Sequence, residues 1–144
     1  RRPSMKPRNR PFALLLTLTA TLALGGCGTI EKDRKVKAMD AALATYGEAI
    51  RWGYFETAYG YVDPAKRSAM PKYLENVRVT GYEVLQPPLM KGEKDLEQVV
   101  RIEYVHKDTQ RLRSLSDRQI WSYDKKAAAW WLQSEVPRFG YRKR

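Results

Sequence analysis

The sequence predicts an α+β domain in which an N-terminal helix pair packs on a sheet of four antiparallel strands. Three observations predict it. Val36, Met39, Leu43, Tyr46 and Ile50 recur at spacings of 3, 4, 3 and 4, which draws one apolar stripe along an amphipathic helix. After Asn76 the pattern changes to period two, rich in β-branched and aromatic residues, as strands require. Turn-forming clusters then interrupt it near residues 89–95, 108–110 and 124–126, so helices come first and a meander of strands follows.

The first elements precede that domain. Arg1, Arg2, Lys6, Arg8 and Arg10 are cationic, and no acidic residue stands before Cys27. Met5-Lys6-Pro7-Arg8-Asn9-Arg10 makes a complete positive n-region by itself, so Met5 is a candidate start of translation. Phe12 to Leu24 follows as an apolar stretch of 13 residues. A bilayer-crossing helix needs about 20, so the length suits the apolar part of a signal peptide. The stretch closes on Leu24-Gly25-Gly26-Cys27, which resembles a bacterial lipobox. That resemblance implies cleavage before Cys27 by signal peptidase II and a lipid on Cys27. With Gly28 in place of an aspartate, it also implies sorting to the inner leaflet of the outer membrane, facing the periplasm. An ordinary secretory signal and a short membrane anchor are the other readings of the same residues. Residues 1–26 are then a signal peptide, 27–32 a lipidated cysteine and short tether, 33–136 a single α+β domain and 137–144 a basic tail.

Composition narrows the chemistry. The 144 residues include 27 Lys and Arg against 16 Asp and Glu, a net charge of +11, which falls to +6 without the five N-terminal cations. The 118 residues from Cys27 onward suit one small core. Cys27 is the only cysteine and His106 the only histidine. With Cys27 acylated there is no thiol for nucleophilic catalysis, no disulfide and no sulfur ligand, and one histidine cannot build a His-cluster metal site. No calcium-loop spacing, glycine-rich phosphate loop or Ser-His-Asp arrangement is present. No metal or cofactor is expected.

Within the domain the first helix is predicted over 33–53, with Asp33 as N-cap and Gly53 at its end. Lys32, Arg34, Lys35 and Lys37 crowd its first turns, where the helix dipole disfavours positive charge; they face either anionic headgroups beside the anchor or water. Residues 54–62 predict a second helix with Phe55, Ala58, Tyr59 and Val62 on one side. Asp63-Pro64 stops it and starts one more turn to Met70, ended by Pro71. Strands are predicted over 77–86, ended by Pro87-Pro88, then over 96–107, 111–123 and 128–136, with 89–95 a mobile connection. In the third strand Leu115, Trp121 and Tyr123 share one parity and Leu112 and Ile120 the other, a switch that marks a candidate bulge.

Tyr46-Gly47-Glu48-Ala49-Ile50-Arg51-Trp52-Gly53-Tyr54-Phe55-Glu56-Thr57-Ala58-Tyr59-Gly60-Tyr61-Val62-Asp63-Pro64 resembles the opening of nuclear transport factor 2-like (cystatin-like cone) domains. At the level of element order the resemblance covers residues 36–136, and it implies a curved, cone-like sheet wrapped around the first helix. Ketosteroid isomerase-like enzymes of that superfamily hold an acid/base carboxylate and a tyrosine inside the cone. The inward-facing candidates here are Tyr104 and His106, which share parity with Val100 and Ile102, with Asp117 from the third strand as a candidate neighbour. Such a histidine can act as a base and such a tyrosine can donate to an oxyanion; the plainer reading packs Tyr104 in the core and leaves His106 at a strand end.

Trp130, Leu132 and Val136 share one face of the last strand, and Trp131, Gln133 and Glu135 the other. If the first face is core, Trp131 is either a partner anchor or covered by another element. The tail adds Phe139 and Tyr141 among basic residues, as further candidate contacts. In the cytosol that mix suggests nucleic acid. Beyond the membrane the anionic targets are lipid headgroups, lipopolysaccharide or cell wall, and a solvated end is the alternative. The expected function is a non-catalytic, lipid-anchored envelope protein that meets the membrane through Cys27 and binds an envelope protein, cell wall or anionic lipid, with no nucleic acid. The second expectation is a small-molecule-binding or isomerase-like cone using Tyr104 and His106. Oligomeric state is not legible.

Overall fold

A computed structural model describes residues 27–140, with only the backbone of Cys27. Leu24, Gly25, Gly26 and Tyr141 lie outside the described residues, as does the side chain of Cys27. The chain divides into two compact units, Arg1–Asp33 and Arg34–Arg144. The sheet, the short helices and the core all belong to the second.

Helix α1 spans Cys27–Trp52. Asp33 therefore lies inside it and caps nothing, and residues 27–32, expected as a tether, are helical. No proline or turn pair stands between Gly28 and Lys32 to stop the helix extending upstream. Its other end is as predicted. Gly53 takes φ +76, its N–H reaches the Ile50 oxygen at 3.2 Å, and the Tyr54 N–H reaches the Ala49 oxygen at 2.8 Å. These two bonds close a Schellman motif, where glycine enters the left-handed region without steric cost. Ala42, Tyr46, Ala49 and Ile50 are buried, but Val36 is 52% exposed, because packing on the helix begins at Ala38 and Met39.

Helix α2, Phe55–Tyr59, buries Phe55 and Ala58. A 3-10 turn at Lys72–Asn76 buries Leu74; it is too short to leave a periodic signal in the sequence. Strands β1 (Val77–Met90), β2 (Asp95–His106), β3 (Leu112–Asp124) and β4 (Ala129–Leu132) follow. They form one open antiparallel sheet in the order β1-β2-β3-β4.

Three strand expectations change, the first being the fourth strand, expected over 128–136, which ends at Leu132. Pro87-Pro88 does not end β1, which continues to Met90 across a register shift between Gln86 and Leu89. As an edge strand with a bulge, β1 tolerates prolines that a central strand would not. The connection shrinks accordingly, and the Lys91 N–H bonds the Asp95 oxygen at 2.8 Å to close the hairpin. The bulges lie in β1, at Val79/Gly81 and Val84/Gln86 as well, while β3 pairs with β2 without interruption from Ser122 to Leu112. The parity switch in β3 is instead exposed apolar surface, since Leu112 and Ile120 face solvent. A bulged strand bends, so the curvature devices sit on one edge.

The core lies between α1 and the inward face of the sheet. Leu96, Val100, Ile102, Tyr104, Trp121, Trp130 and Leu132 meet Tyr46, Ile50, Phe55, Ala58 and Leu74 there. Tyr46 stands edge-on to Trp121 with centroids 5.2 Å apart, a favoured aromatic geometry. Phe139 corrects the expected tail, because it is 0% exposed and belongs to this core. Phe139 and Gly140 take φ 46 and 74. The chain turns back there and seats the Phe139 ring against Phe55 at 5.7 Å and Tyr104 at 5.2 Å. Burial of a large ring offsets the cost of a non-glycine residue at positive φ. Phe139 is therefore a packing residue and offers no surface to a partner.

Candidate functional site

A groove of about 670 Å³ opens between α2, the 3-10 turn and the segment after β4. Its construction begins at the outer edge of β4. There the chain after α2 adds a short parallel bridge, Val62 to Leu132. The Leu132 N–H donates to the Tyr61 oxygen at 2.7 Å, and the Asp63 N–H to the Leu132 oxygen at 3.0 Å. This covers a strand edge that would otherwise expose unpaired groups.

Asp63 then ties the loop down. Its carboxylate accepts from the Ala65 N–H at 2.9 Å and from the Gln133 amide at 3.1 Å. These bonds, the Ala65 one foremost, hold the carboxyl below its ordinary pKa by favouring the charged form. Arg67 folds the following residues back by donating to the Gly60 oxygen at 2.8 Å and the Val62 oxygen at 3.0 Å. On the far wall the Ile120 N–H bonds Ser134 Oγ at 3.2 Å, which keeps the segment after β4 against the sheet.

The lining combines aromatic, amide, hydroxyl and cationic groups. Val62 and Val136 contribute apolar surface, Tyr59 and Tyr73 their rings, and Lys66, Lys72 and Arg138 positive charge. Burial, with Tyr73 and Glu135 nearby, pushes the Tyr59 hydroxyl up to about 12; it stays protonated and able to donate. Glu135, the carboxylate of the lining, is engaged by Arg138 Nε at 2.7 Å. The arrangement can hold a ligand rich in acceptors and negative charge. It offers no thiol, histidine or uncommitted carboxylate to react with one.

Of the residues expected to form a cone site, Tyr104 and His106 meet, but Asp117 does not join them. Tyr104 is buried, and the volume beside it is filled by Phe139 and by His106, whose ring lies 5.5 Å away. His106 Nε2 is 2.9 Å from the Phe139 carbonyl oxygen, so the histidine holds the returning chain. Asp117 pairs with Val100 in the β2–β3 register, while Tyr104 pairs with Arg113. Four residues of strand therefore separate Asp117 from Tyr104, about 13 Å at 3.3 Å per residue.

Asp117 belongs to a different polar cluster, whose other members the strand parities alone do not mark as a site. The Gln119 amide donates to Asp117 Oδ2 at 2.9 Å and lies 3.1 Å from the Tyr82 hydroxyl, and the Gln98 amide donates to Gln119 Oε1 at 2.6 Å. Burial pushes the Asp117 carboxyl up to about 6, with the Gln119 bond opposing. The Tyr46 hydroxyl, also buried and also raised by burial and by Asp117, has no hydrogen-bond partner. Gly47 lets the Tyr82 ring lie on α1, since a Cβ there would stand 3.0 Å from Tyr82 Cε1. A depression of about 400 Å³ adjoins the cluster at Tyr82 and Gln98. Gln98 and Gln119 at inward parity between Leu96, Val100 and Trp121 were the available signal.

Trp131 is half-buried on the face opposite the buried Trp130, Leu132 and Val136. Among the described residues no group of three or more His, Cys, Asp and Glu could hold a metal, and no helix is long and apolar enough to cross a membrane. Comparison with family models, with characterised proteins and with solved structures finds no match.

Proposed function

We propose that this chain is a lipid-anchored envelope protein, held by an acyl group on Cys27 at the periplasmic side of the outer membrane. Its α+β domain is a non-catalytic binding module with the groove beside β4 as its ligand site. The groove's lining carries this reading: a protonated Tyr59, Lys66 and Lys72 face an open channel whose carboxylate is already tied to Arg138. A photo-crosslinking residue at Ser68 on the groove wall should trap one specific envelope component in the native host, and Lys66→Glu with Lys72→Glu should abolish the product. Absence of any product at Ser68, with one appearing from Trp131, would move the site to the outer face of β4. Cys27→Ser should abolish lipid labelling and processing.

One observation favours a second reading, a small-molecule-binding or isomerase-like domain. Asp117, near a pKa of 6, and an unpartnered Tyr46 hydroxyl belong to a buried polar cluster whose Tyr82 and Gln98 line a depression. In this reading Asp117, Tyr46 and Tyr82 act, and Tyr104 and His106 do not. A panel of apolar ketones should then raise the Tm of the native chain and leave that of Asp117→Asn unchanged.

A further inference from the structure

Three segments distant in sequence meet at one end of the second unit. Lys35 of α1 joins them: its ammonium donates to the Glu93 oxygen in the β1–β2 turn. It also lies 5.2 Å and 5.6 Å over the rings of Tyr123 and Trp130, which flank the β3–β4 turn. The Trp130 indole N–H returns to the Lys35 oxygen at 3.1 Å, and the Tyr123 N–H bonds the Lys94 oxygen at 2.7 Å. The start of the helix and both hairpin tips therefore share one end of the domain.

That end is cationic and carries apolar side chains. Residues 34–37, 89–95 and 124–129 hold seven cations, Arg34, Lys35, Lys37, Lys91, Lys94, Lys125 and Lys126, against three carboxylates, Glu93, Asp95 and Asp124. Asp124 is turned onto its own loop, accepting from the Lys126 and Ala127 N–H groups at 2.8 and 3.2 Å. Leu89 is 59% and Met90 42% exposed at the hairpin tip. Exposed leucine and methionine flanked by lysines suit the headgroup region of a bilayer, where apolar side chains enter the acyl boundary and cations meet anionic lipid.

We propose that this end, the β1–β2 tip with Leu89 and Met90 and the surrounding lysines, docks on an anionic bilayer surface and sets the orientation of the domain. The inference rests on the reading of Cys27 as the lipid attachment point. Composition by itself does not choose this end, because the opposite one exposes Trp52, Tyr54 and Leu112. Chain connection chooses it. Arg34 is seven positions on from Cys27, at most about 25 Å even fully extended. Strand β2 has 12 residues and so runs about 40 Å. A chain of that reach cannot invert the domain to bring the far end down. Docked this way, the short edge of β4 and the groove beside it stand clear of the acyl region and open to the periplasm.

The test uses the full lipidated chain reconstituted in vesicles. With Cys27 acylated, Leu89→Cys creates the one free thiol for a polarity-sensitive fluorophore, and Thr109→Cys at the opposite end is the control. Brominated acyl chains should quench the Leu89 label in vesicles containing phosphatidylglycerol and leave it unquenched in phosphatidylcholine alone. The Thr109 label should be unquenched in both. Lys91→Glu with Lys94→Glu should lower the docked fraction about tenfold or more, and high salt should do the same. Equal exposure of both labels, equal quenching in both lipids, or shielding of Leu89 only after an envelope protein is added would each overturn the proposal. The same labels on a Cys27→Ser chain, held by its uncleaved apolar stretch, separate failure of the anchor from failure of the docking.

Discussion

Trp130 donates its indole N–H to the main-chain oxygen of Lys35 at 3.1 Å, across 95 residues of chain. This bond and the Lys35 ammonium over the same ring fasten α1 to the last strand about one turn before the helix begins to pack on the core. Trp130→Phe keeps most of the buried ring and loses the bond. It should cost about 1 kcal/mol, and Trp130→Ala about 3–5 kcal/mol, read by urea denaturation. No loss from Trp130→Phe would mean that the hydrogen bond contributes nothing.

Phe139 closes the core from beyond the last strand. Phe139→Ala should destabilise the domain by about 3–5 kcal/mol, and a chain stopped at Pro137 should lose at least as much. A free tail would show neither effect. Gly140→Ala tests the turn itself, because its φ is +74 and a Cβ would stand 2.9 Å from the Tyr104 hydroxyl. That variant should lower Tm without removing any apolar surface.

Asp117 predicts a pH dependence opposite in sign to that of an ion-paired carboxylate. Its ordinary value of 3.8 is raised to about 6 in the folded chain, so the folded state holds a proton that the unfolded state releases. The contribution to stability is fully present below about pH 4. It falls as pH rises and is lost above about 6. Two units correspond to roughly 3 kcal/mol. Asp117→Asn, which keeps an acceptor for Gln119, should flatten this slope and stabilise the chain at pH 7 by about 1–3 kcal/mol. Parallel stability curves for the two chains between pH 4 and 7 would show that Asp117 does not titrate in this window.

Arg67 holds the groove wall through two main-chain oxygens. Arg67→Ala should cost about 1–2 kcal/mol and speed limited proteolysis between residues 64 and 70 more than elsewhere. Uniform cleavage along the chain would indicate that the loop is held by Asp63 alone.

The pattern of residues made much of this architecture legible. Tyr46 and Ile50 fall on the buried side of α1 because helical period places them there, and Gly53 ends the helix because the backbone needs positive φ at that point. Even parity in β2 put Val100, Ile102 and Tyr104 inside, and adjacent residues on opposite faces separated Trp130 from Trp131. Strand ends were less legible. Pro87-Pro88 reads as a stop unless one knows that β1 is the edge strand, since an edge has no neighbour for the missing N–H groups.

The candidate sites divide in the same way. The lipobox-like stretch, the single thiol and the single histidine are properties of the sequence alone, and they bound the chemistry before any folding. Helix and strand periods are likewise local, fixed by backbone geometry within a few residues. What tertiary structure decided is which distant residues meet. Phe139 occupies the space beside Tyr104, Asp117 joins Gln119 and Tyr82, and Lys35 gathers two hairpin tips. Strand register and the left-handed turn at Phe139 set those meetings, and both depend on contacts between residues tens of positions apart, which no local pattern encodes.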